Sequence, residues 1–397
     1  MNVLGVMSGT SMDGADAVLA AIEGGGGRPF AWSVSDRGSA PYPPELRARL
    51  GRAITPGGAD VVELTLLHAE LGEHAAGLVA QLAERARRTG EAVDLVVLSG
   101  QTVWHEPRAD AARGVRIPAT LQLGEPARVV ARTDLPVVSD LRQADLAEGG
   151  QGAPLVAFGD LLLYGQEGIG RAVHNLGGIG NLTWLPPDLD PLRVTAFDTG
   201  PANCLLDELA WTKAGLDRDD GGRLAAAGRV DAVVLARLMA HPYLRLPPPK
   251  TTGREAFNLR ELADSGLTSL PVEDALATAT AFTVASTAQA YREHLLEGRA
   301  RRLDEVWLAG GGAKNPTLVA GLKAALAELG ARVATFEERG MESADREALA
   351  FAVMGYEAWH GRVNTLPSAT GARRAAVAGR ISRPPPAPPP AEPLPPR

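Results

Sequence analysis

The sequence predicts an α/β protein of two lobes with a cleft between them, and three observations carry that expectation. At 397 residues the chain exceeds the roughly 250–300 residues at which single hydrophobic cores stop growing. Short apolar runs alternate with amphipathic stretches of helical period, as strands and helices do in an α/β fold. Three glycine-rich turns, far apart, each follow such a run. They are Ser8-Gly9-Thr10-Ser11-Met12-Asp13-Gly14 after residues 3–7, Asn175-Leu176-Gly177-Gly178-Ile179-Gly180-Asn181 after residues 172–174, and Ala309-Gly310-Gly311-Gly312-Ala313 after residues 306–309. A glycine turn after a strand lets backbone N–H groups approach an anion closely, because no Cβ intervenes. Three of them, two dense in Ser, Thr, Asn or Asp, imply two phosphate clamps and an adenosine contact in one cleft.

Along the first half, residues 3–7 read as a strand and residues 15–22 as either a strand or a helix, before the breaker at residues 24–27. A strand would close a hairpin. A helix would suggest a P-loop, but that motif needs Gly-Lys-Ser/Thr and no lysine lies near Gly14. Asp60 followed by Glu63 marks a helix start, and Val61, Leu64, Leu67, Leu71, Leu78 and Leu82 give it one apolar face. Residues 93–98 form a buried strand ending in Ser99-Gly100-Gln101-Thr102. Gly124-Glu125-Pro126 opens a helix to about Thr133, and residues 136–139 make another short strand.

The second half repeats the design from about Arg171, with residues 173–175 and 182–185 flanking the second glycine turn as a hairpin. Residues 273–296 are rich in Ala and Thr and read as one long buried helix. Asn315 and Pro316 suit an N-cap and first helical position for a helix ending at Gly330. A strand at 332–336 and a helix at 344–359 follow. The expected organisation is an N-terminal lobe at 1–170, a C-terminal lobe at 171–382 whose last helix packs back on the first lobe, and a disordered proline-rich tail at 383–397, which holds nine of the 30 prolines.

Composition narrows the function. A net charge of −7 argues against a nucleic-acid or anionic-membrane binder, which would carry a basic excess. The single cysteine, Cys204, excludes an internal disulfide and fits a reducing compartment. No basic segment followed by an apolar stretch marks a secretory signal, and no run suits a bilayer span. The expectation is a cytoplasmic, soluble protein.

Together these turns resemble the ATPases of the sugar kinase, Hsp70 and actin superfamily, whose two actin-like (ribonuclease H-like) lobes clamp ATP between hairpin turns. The match narrows on four segments: Gly5-Val6-Met7-Ser8-Gly9-Thr10-Ser11-Met12-Asp13-Gly14, Gly149-Gly150-Gln151-Gly152-Ala153-Pro154-Leu155, Phe197-Asp198-Thr199-Gly200-Pro201 and Leu366-Pro367-Ser368-Ala369-Thr370-Gly371-Ala372. These are similar to the anhydro-N-acetylmuramic acid kinase family, and the resemblance runs from Met1 to about Ile381. It implies an enzyme of cell-wall recycling that uses ATP and Mg²⁺. The sugar is 1,6-anhydro-N-acetylmuramic acid; ATP phosphorylates O6 while water attacks C1. No nucleic acid or membrane partner is implied, and a homodimer is left open. A kinase of another amino sugar, an Hsp70-like ATPase or a non-catalytic nucleotide-binding member are the rivals.

By itself Asp198-Thr199-Gly200 reads equally as an Asx-turn; the resemblance makes Asp198 the general base for water. It gives Glu347, Arg142 and Asp145 to the sugar, against readings as a solvated helix charge and a surface ion pair. It gives Gly9, Thr10, Ser11, Met12, Asp13 and Gly14 to the phosphates, with Asp13 reaching the metal through water. Gly177, Gly178 and Asn181 belong to the second phosphate loop, and Gly310, Gly311, Gly312 and Asn315 lie against adenosine, with Asn315 equally an N-cap. Lys250 and Arg254 match a further family segment. Two departures stand out: Ser99 replaces a histidine before Gly100-Gln101-Thr102, and Ala202 replaces a glycine, which shifts the turn carrying Asp198 if that position needs positive φ. His68, Glu70, Glu73 and His74 lack zinc-binding spacing and read as an exposed helix face, and Cys204 as a small buried residue.

Overall fold

The computed structural model describes every residue except 10, 26–27, 111–113, 299 and 387–397. Strand β1 (Asn2–Met7) turns into β2 (Gly14–Gly25), and the two pair antiparallel from Asn2↔Ala21 to Met7↔Asp16. The segment open to two readings is thus a strand. Its ambiguity has a physical source: Val18, Ala20 and Ile22 enter one core while Ala15, Ala17 and Leu19 enter another, so burial of both faces removes the polar alternation that marks a strand. Strand β3 (Arg28–Pro41) pairs along β2, and β4 (Leu95–Leu98) lies parallel to β1. Strands β5 (Gln101–Glu106) and β6 (Ala119–Leu123) form a separate hairpin. Strand β7 (Val137–Ser139) extends the first sheet parallel to β4.

The second sheet repeats this plan. Strands β8 (Arg171–Leu176), β9 (Ile179–Leu185) and β10 (Thr195–Pro201) form an antiparallel meander. Strand β11 (Glu305–Ala309) lies parallel to β8, and β12 (Arg332–Thr335) parallel to β11. The orders β3-β2-β1-β4-β7 and β10-β9-β8-β11-β12 match strand for strand, and β13 (Arg380–Ser382) adds an antiparallel edge to the first. Two copies of one meander with two parallel strands make the two-lobed actin-like, ribonuclease H-like architecture.

Helices Val156–Tyr164 and Asp345–Trp359 are buried between the sheets, in a core that takes Val3 and Val97 from one and Val173 and Trp307 from the other. Helix Asp345–Trp359 packs on β1 closely enough that a Cβ at Gly5 would sit 2.1 Å from the Ala348 carbonyl oxygen. It therefore comes back to the first sheet from late in the chain. Helix Val61–Arg88 covers that sheet's other face, with the Asp60 carboxylate accepting from the Glu63 amide at 2.8 Å. Helix Pro316–Ala327 backs the second sheet, capped by Asn315. Residues 273–296 depart from a uniform helix: Val272–Gln289 is α-helical and Ala290–Leu296 widens into a π-helix, burying Tyr291 and His294. No helix among the described residues is long and apolar enough to cross a membrane.

Candidate functional site

Two cavities, of about 370 and 230 Å³, are lined from both halves of the chain, and a third, of about 420 Å³, lies within the second lobe. The first is lined by Asp198, Asn181, Lys250, Arg142 and Glu347. The smallest lies beside the first turn and is edged by Gly9, Ser11, Asp13, Asp16, Asn175, Gly310 and Glu347. The third is bounded by Asn203, Asp207, Arg218, Gly311, Lys314 and Asn315. Glu347 and Arg346 border both of the first two, so these cavities meet at the first turn of helix Asp345–Trp359.

Asp198 sits on β10 opposite Asn181, just before the register slips between Asp198 and Gly200. Such a bulge re-aims a side chain next to a site. Its Oδ2 accepts from the Thr251 hydroxyl at 2.8 Å and the Thr252 amide at 2.9 Å, while Oδ1 makes no hydrogen bond among the described residues. Burial raises the Asp198 carboxyl above its ordinary value, opposed by the Thr252 amide, the Thr251 hydroxyl and the Lys250 charge. The carboxylate is thus held by one oxygen and open on the other, which suits a group that takes a proton from water.

Lys250 is 7% exposed and has no carboxylate partner among the described residues. Its ammonium donates to the Leu244 carbonyl at 3.2 Å and lies 4.8 Å from the Tyr243 ring centre. Burial lowers it to about 8, with Glu293 and Asp198 pulling the other way. Arg142 donates to the Gly152 carbonyl at 2.7 Å; burial lowers its pKa while the nearby Glu347 charge raises it.

Asp145 departs from its sugar-lining assignment. It is fully buried, with Oδ2 accepting from the Gly152 amide and Oδ1 from the Thr370 hydroxyl, so it shapes the turn that holds Arg142 instead of facing the cavity. Asn181 lines the Asp198 cavity. Thr10 lies outside the described residues. Met12 departs likewise: its backbone, at φ 53°, closes a turn onto the Gly9 carbonyl, and its side chain packs beside Tyr42 and Leu46. Gly14 answers to β3, since a Cβ there would lie 2.6 Å from the Ala40 oxygen. Gly312 packs on Leu176, and the Asn315 side chain caps its helix through the Leu318 amide at 3.1 Å while also edging the third cavity. The carbonyls of Gly177 and Gly178 accept from the amides of Asn203, Ala202 and Cys204, tying the second turn to the start of helix Asn203–Ala214.

The two sequence departures are accommodated. Ser99 Oγ accepts from the Ser8 amide at 3.1 Å, steadying the first turn. Ala202 keeps a negative φ of −124°, and the left-handed strain falls on Gly200 at φ 142°. The His68 group is taken up by packing: His68 Nε2 meets Glu125 at 3.1 Å and Arg128 bridges Glu73 at 3.1 Å. Cys204 is buried, and burial raises its thiol to about 11.

Sequence reasoning missed Asp16, Asn175 and, around the third cavity, Asn203, Asp207, Arg218 and Lys314. Asn175 belonged to the second glycine turn already; paired with Asn181 across the hairpin, it borders the smallest cavity while Asn181 borders the Asp198 cavity. Arg346 was visible only as the neighbour of Glu347, its partner Asp160 being 186 residues away.

A family model described as anhydro-N-acetylmuramic acid kinase matches residues 1–384. An anhydro-N-acetylmuramic acid kinase of Bacillus thuringiensis subsp. konkukian (strain 97-27) is 37% identical over 387 residues, covering 97% of this chain and 100% of the relative. One of Bacillus cereus (strain B4264) is 38% identical over 389 residues, covering 97% and 98%. A solved ROK family glucokinase from Streptomyces griseus, in complex with glucose and AMPPNP, is a distant likeness. It shows 14% identity and a TM-score of 0.38 over 89% of this chain and 99% of that one.

Proposed function

The chain belongs to the anhydro-N-acetylmuramic acid kinase family, and we infer that its interlobe cleft carries out the reaction of an ATP-dependent kinase of 1,6-anhydro-N-acetylmuramic acid. The bridge between C1 and O6 opens, water supplies the new C1 hydroxyl, and O6 takes the γ-phosphoryl group of ATP. The products are N-acetylmuramic acid 6-phosphate and ADP. An ether oxygen is a poor nucleophile, so C1–O6 cleavage as O6 meets phosphorus relieves the positive charge that would build on oxygen. Both reactants must be held in line in a closed site.

The observation that carries the residue assignment is the asymmetry of Asp198, tied at Oδ2 and free at Oδ1 inside the cavity it shares with Arg142 and Glu347. Asp198 Oδ1 takes a proton from the attacking water. Arg142 and Glu347 hold the sugar where its cavity meets the phosphate cavity. Gly9, Ser11 and Gly310 flank the phosphates, while Gly311, Asn315 and Lys314 bound the adenosine.

For Mg²⁺, the fit rests on Asp13 and Asp16, both edging the smallest cavity, with Ser11 donating to Asp13 at 2.7 Å. No group of three or more His, Cys, Asp or Glu with metal-binding geometry occurs among the described residues. Mg²⁺ commonly takes one or two carboxylates, phosphate oxygens and its own waters, so this donor set suits it. Bound there, it would neutralise phosphate charge. A cytoplasmic location follows from substrates of this kind; most of the proline-rich tail, residues 387–397, lies outside the described residues.

The test is turnover of ATP, Mg²⁺ and 1,6-anhydro-N-acetylmuramic acid in ¹⁸O-water, with N-acetylglucosamine and N-acetylmuramic acid as competitors. One heavy oxygen in a phosphorylated product from the anhydro sugar supports the reading. Phosphorylation of an ordinary amino sugar alone would replace it with a plain sugar kinase.

A further inference from the structure

One short segment reaches from the base to the second glycine turn. Lys250 accepts the Asp198 amide on its carbonyl at 3.2 Å, and Thr251 and Thr252 hold the Asp198 carboxylate. Two residues on, the guanidinium of Arg254 lies over Gly178. A Cβ at Gly178 would be 3.2 Å from both Nε and Nη2. A side chain at this position would crowd the guanidinium against the turn.

The Arg254 guanidinium is exposed and makes no hydrogen bond or ion pair among the described residues. Its charge acts on Cys204 and Asp207 in the first turns of helix Asn203–Ala214. Asp207 also edges the third cavity, so the Arg254 charge reaches the rim of that cavity. Of the cations lining the Asp198 cavity, Arg346 is engaged by Asp160, Lys250 by the Leu244 carbonyl and Arg142 by the Gly152 carbonyl. Arg254 keeps its planar set of donors unused beside the Gly177–Gly178 turn. A guanidinium matches phosphate oxygens in pairs, and phosphoryl transfer depends on cations aimed at the transferring group.

We propose that Arg254 is a further catalytic residue, binding the γ-phosphate of ATP at the Gly177–Gly178 turn as it passes to O6. The proposal rests on the kinase reading above. Because Arg254 and the residues holding Asp198 share one segment, phosphate binding and placement of the base are set together.

The experiment compares the full-length parent with Arg254→Ala and Arg254→Lys. Turnover is followed with and without added guanidinium chloride, alongside Kd values for ATP and ADP and the melting temperature. The expected result for Arg254→Ala is a fall in kcat of about 100-fold or more, largely restored by millimolar guanidinium, with an unchanged melting temperature and a smaller deficit for the lysine variant. A kcat within about threefold of the parent, or a loss that guanidinium does not restore, overturns the proposal. A parent that turns over no anhydro sugar sinks the function reading instead. Binding then decides Arg254: weaker ATP with unchanged ADP supports it, and equal effects on both, or none, overturn it.

Discussion

Arg346 and Asp160 form a two-point ion pair sealed from solvent, with Nε 3.0 Å from Oδ1 and Nη2 closing onto Oδ2. Arg346 is 2% exposed and Asp160 0%. The pair joins helix Asp345–Trp359 to helix Val156–Tyr164 one residue before Glu347, so it anchors the turn that presents Glu347 to both cavities. Removing one partner of a buried pair strands the other charge. Asp160→Asn is expected to cost about 3–5 kcal/mol, read as a lower urea midpoint at unchanged m. A loss under about 1 kcal/mol would mean that Arg346 finds a new anion.

Glu347 itself is half-buried at the junction of the two cavities. Glu347→Gln keeps its shape and removes its charge. A rise in the sugar KM and a fall in kcat of roughly tenfold or more are expected, the size of one charge-assisted hydrogen bond, with ATP affinity little changed. Parent-like steady-state kinetics would leave Glu347 as an ordinary helix-face charge.

Asp198→Asn should leave the fold and ATP binding close to the parent, because the side-chain oxygen can still accept from Thr251 and Thr252. Turnover should fall by about 10²–10⁴, the usual contribution of a general base. Calorimetric ATP titration beside the kinase assay separates the two effects. Substantial remaining turnover would take the base role away from Asp198.

The parts of this fold legible in the sequence are those set locally. Asp60 and Asn315 cap helices through amides three residues on, and the first two glycine turns lie between strands as the apolar runs indicate. Strand β3 was not legible: Phe30, Trp32 and Val34 alternate, but beyond a four-glycine breaker only pairing with β2 makes them a strand. The site divides in the same way. Asp198, Glu347, Arg142, Asp13 and Gly310 could be named from their motifs, and each borders a cavity. Asp145 could not be judged, because its burial depends on Thr370, 225 residues away. Lys250 gave no local sign that it would be buried, since its shelter comes from Tyr243, Leu244 and Phe197 closing round it.

His174 makes acid stability a test of the second lobe's packing. It is fully buried on β8, its Nδ1 3.2 Å from the Tyr291 hydroxyl and its ring stacked on the Tyr291 ring. Burial, helped by the Arg346 charge, lowers it to about 3 from an ordinary 6.5. The folded protein therefore keeps a neutral imidazole where the unfolded chain takes up a proton. That contribution to stability is fully present above pH 6.5 and is lost as pH falls from there towards 3, with a limiting slope of about 1.4 kcal/mol per pH unit. His174→Gln has no such group. Whatever its stability at neutral pH, its urea-unfolding free energy should fall less steeply than the parent's between pH 6 and 4. Parallel curves for the two proteins across that window would mean that His174 takes up its proton without unfolding.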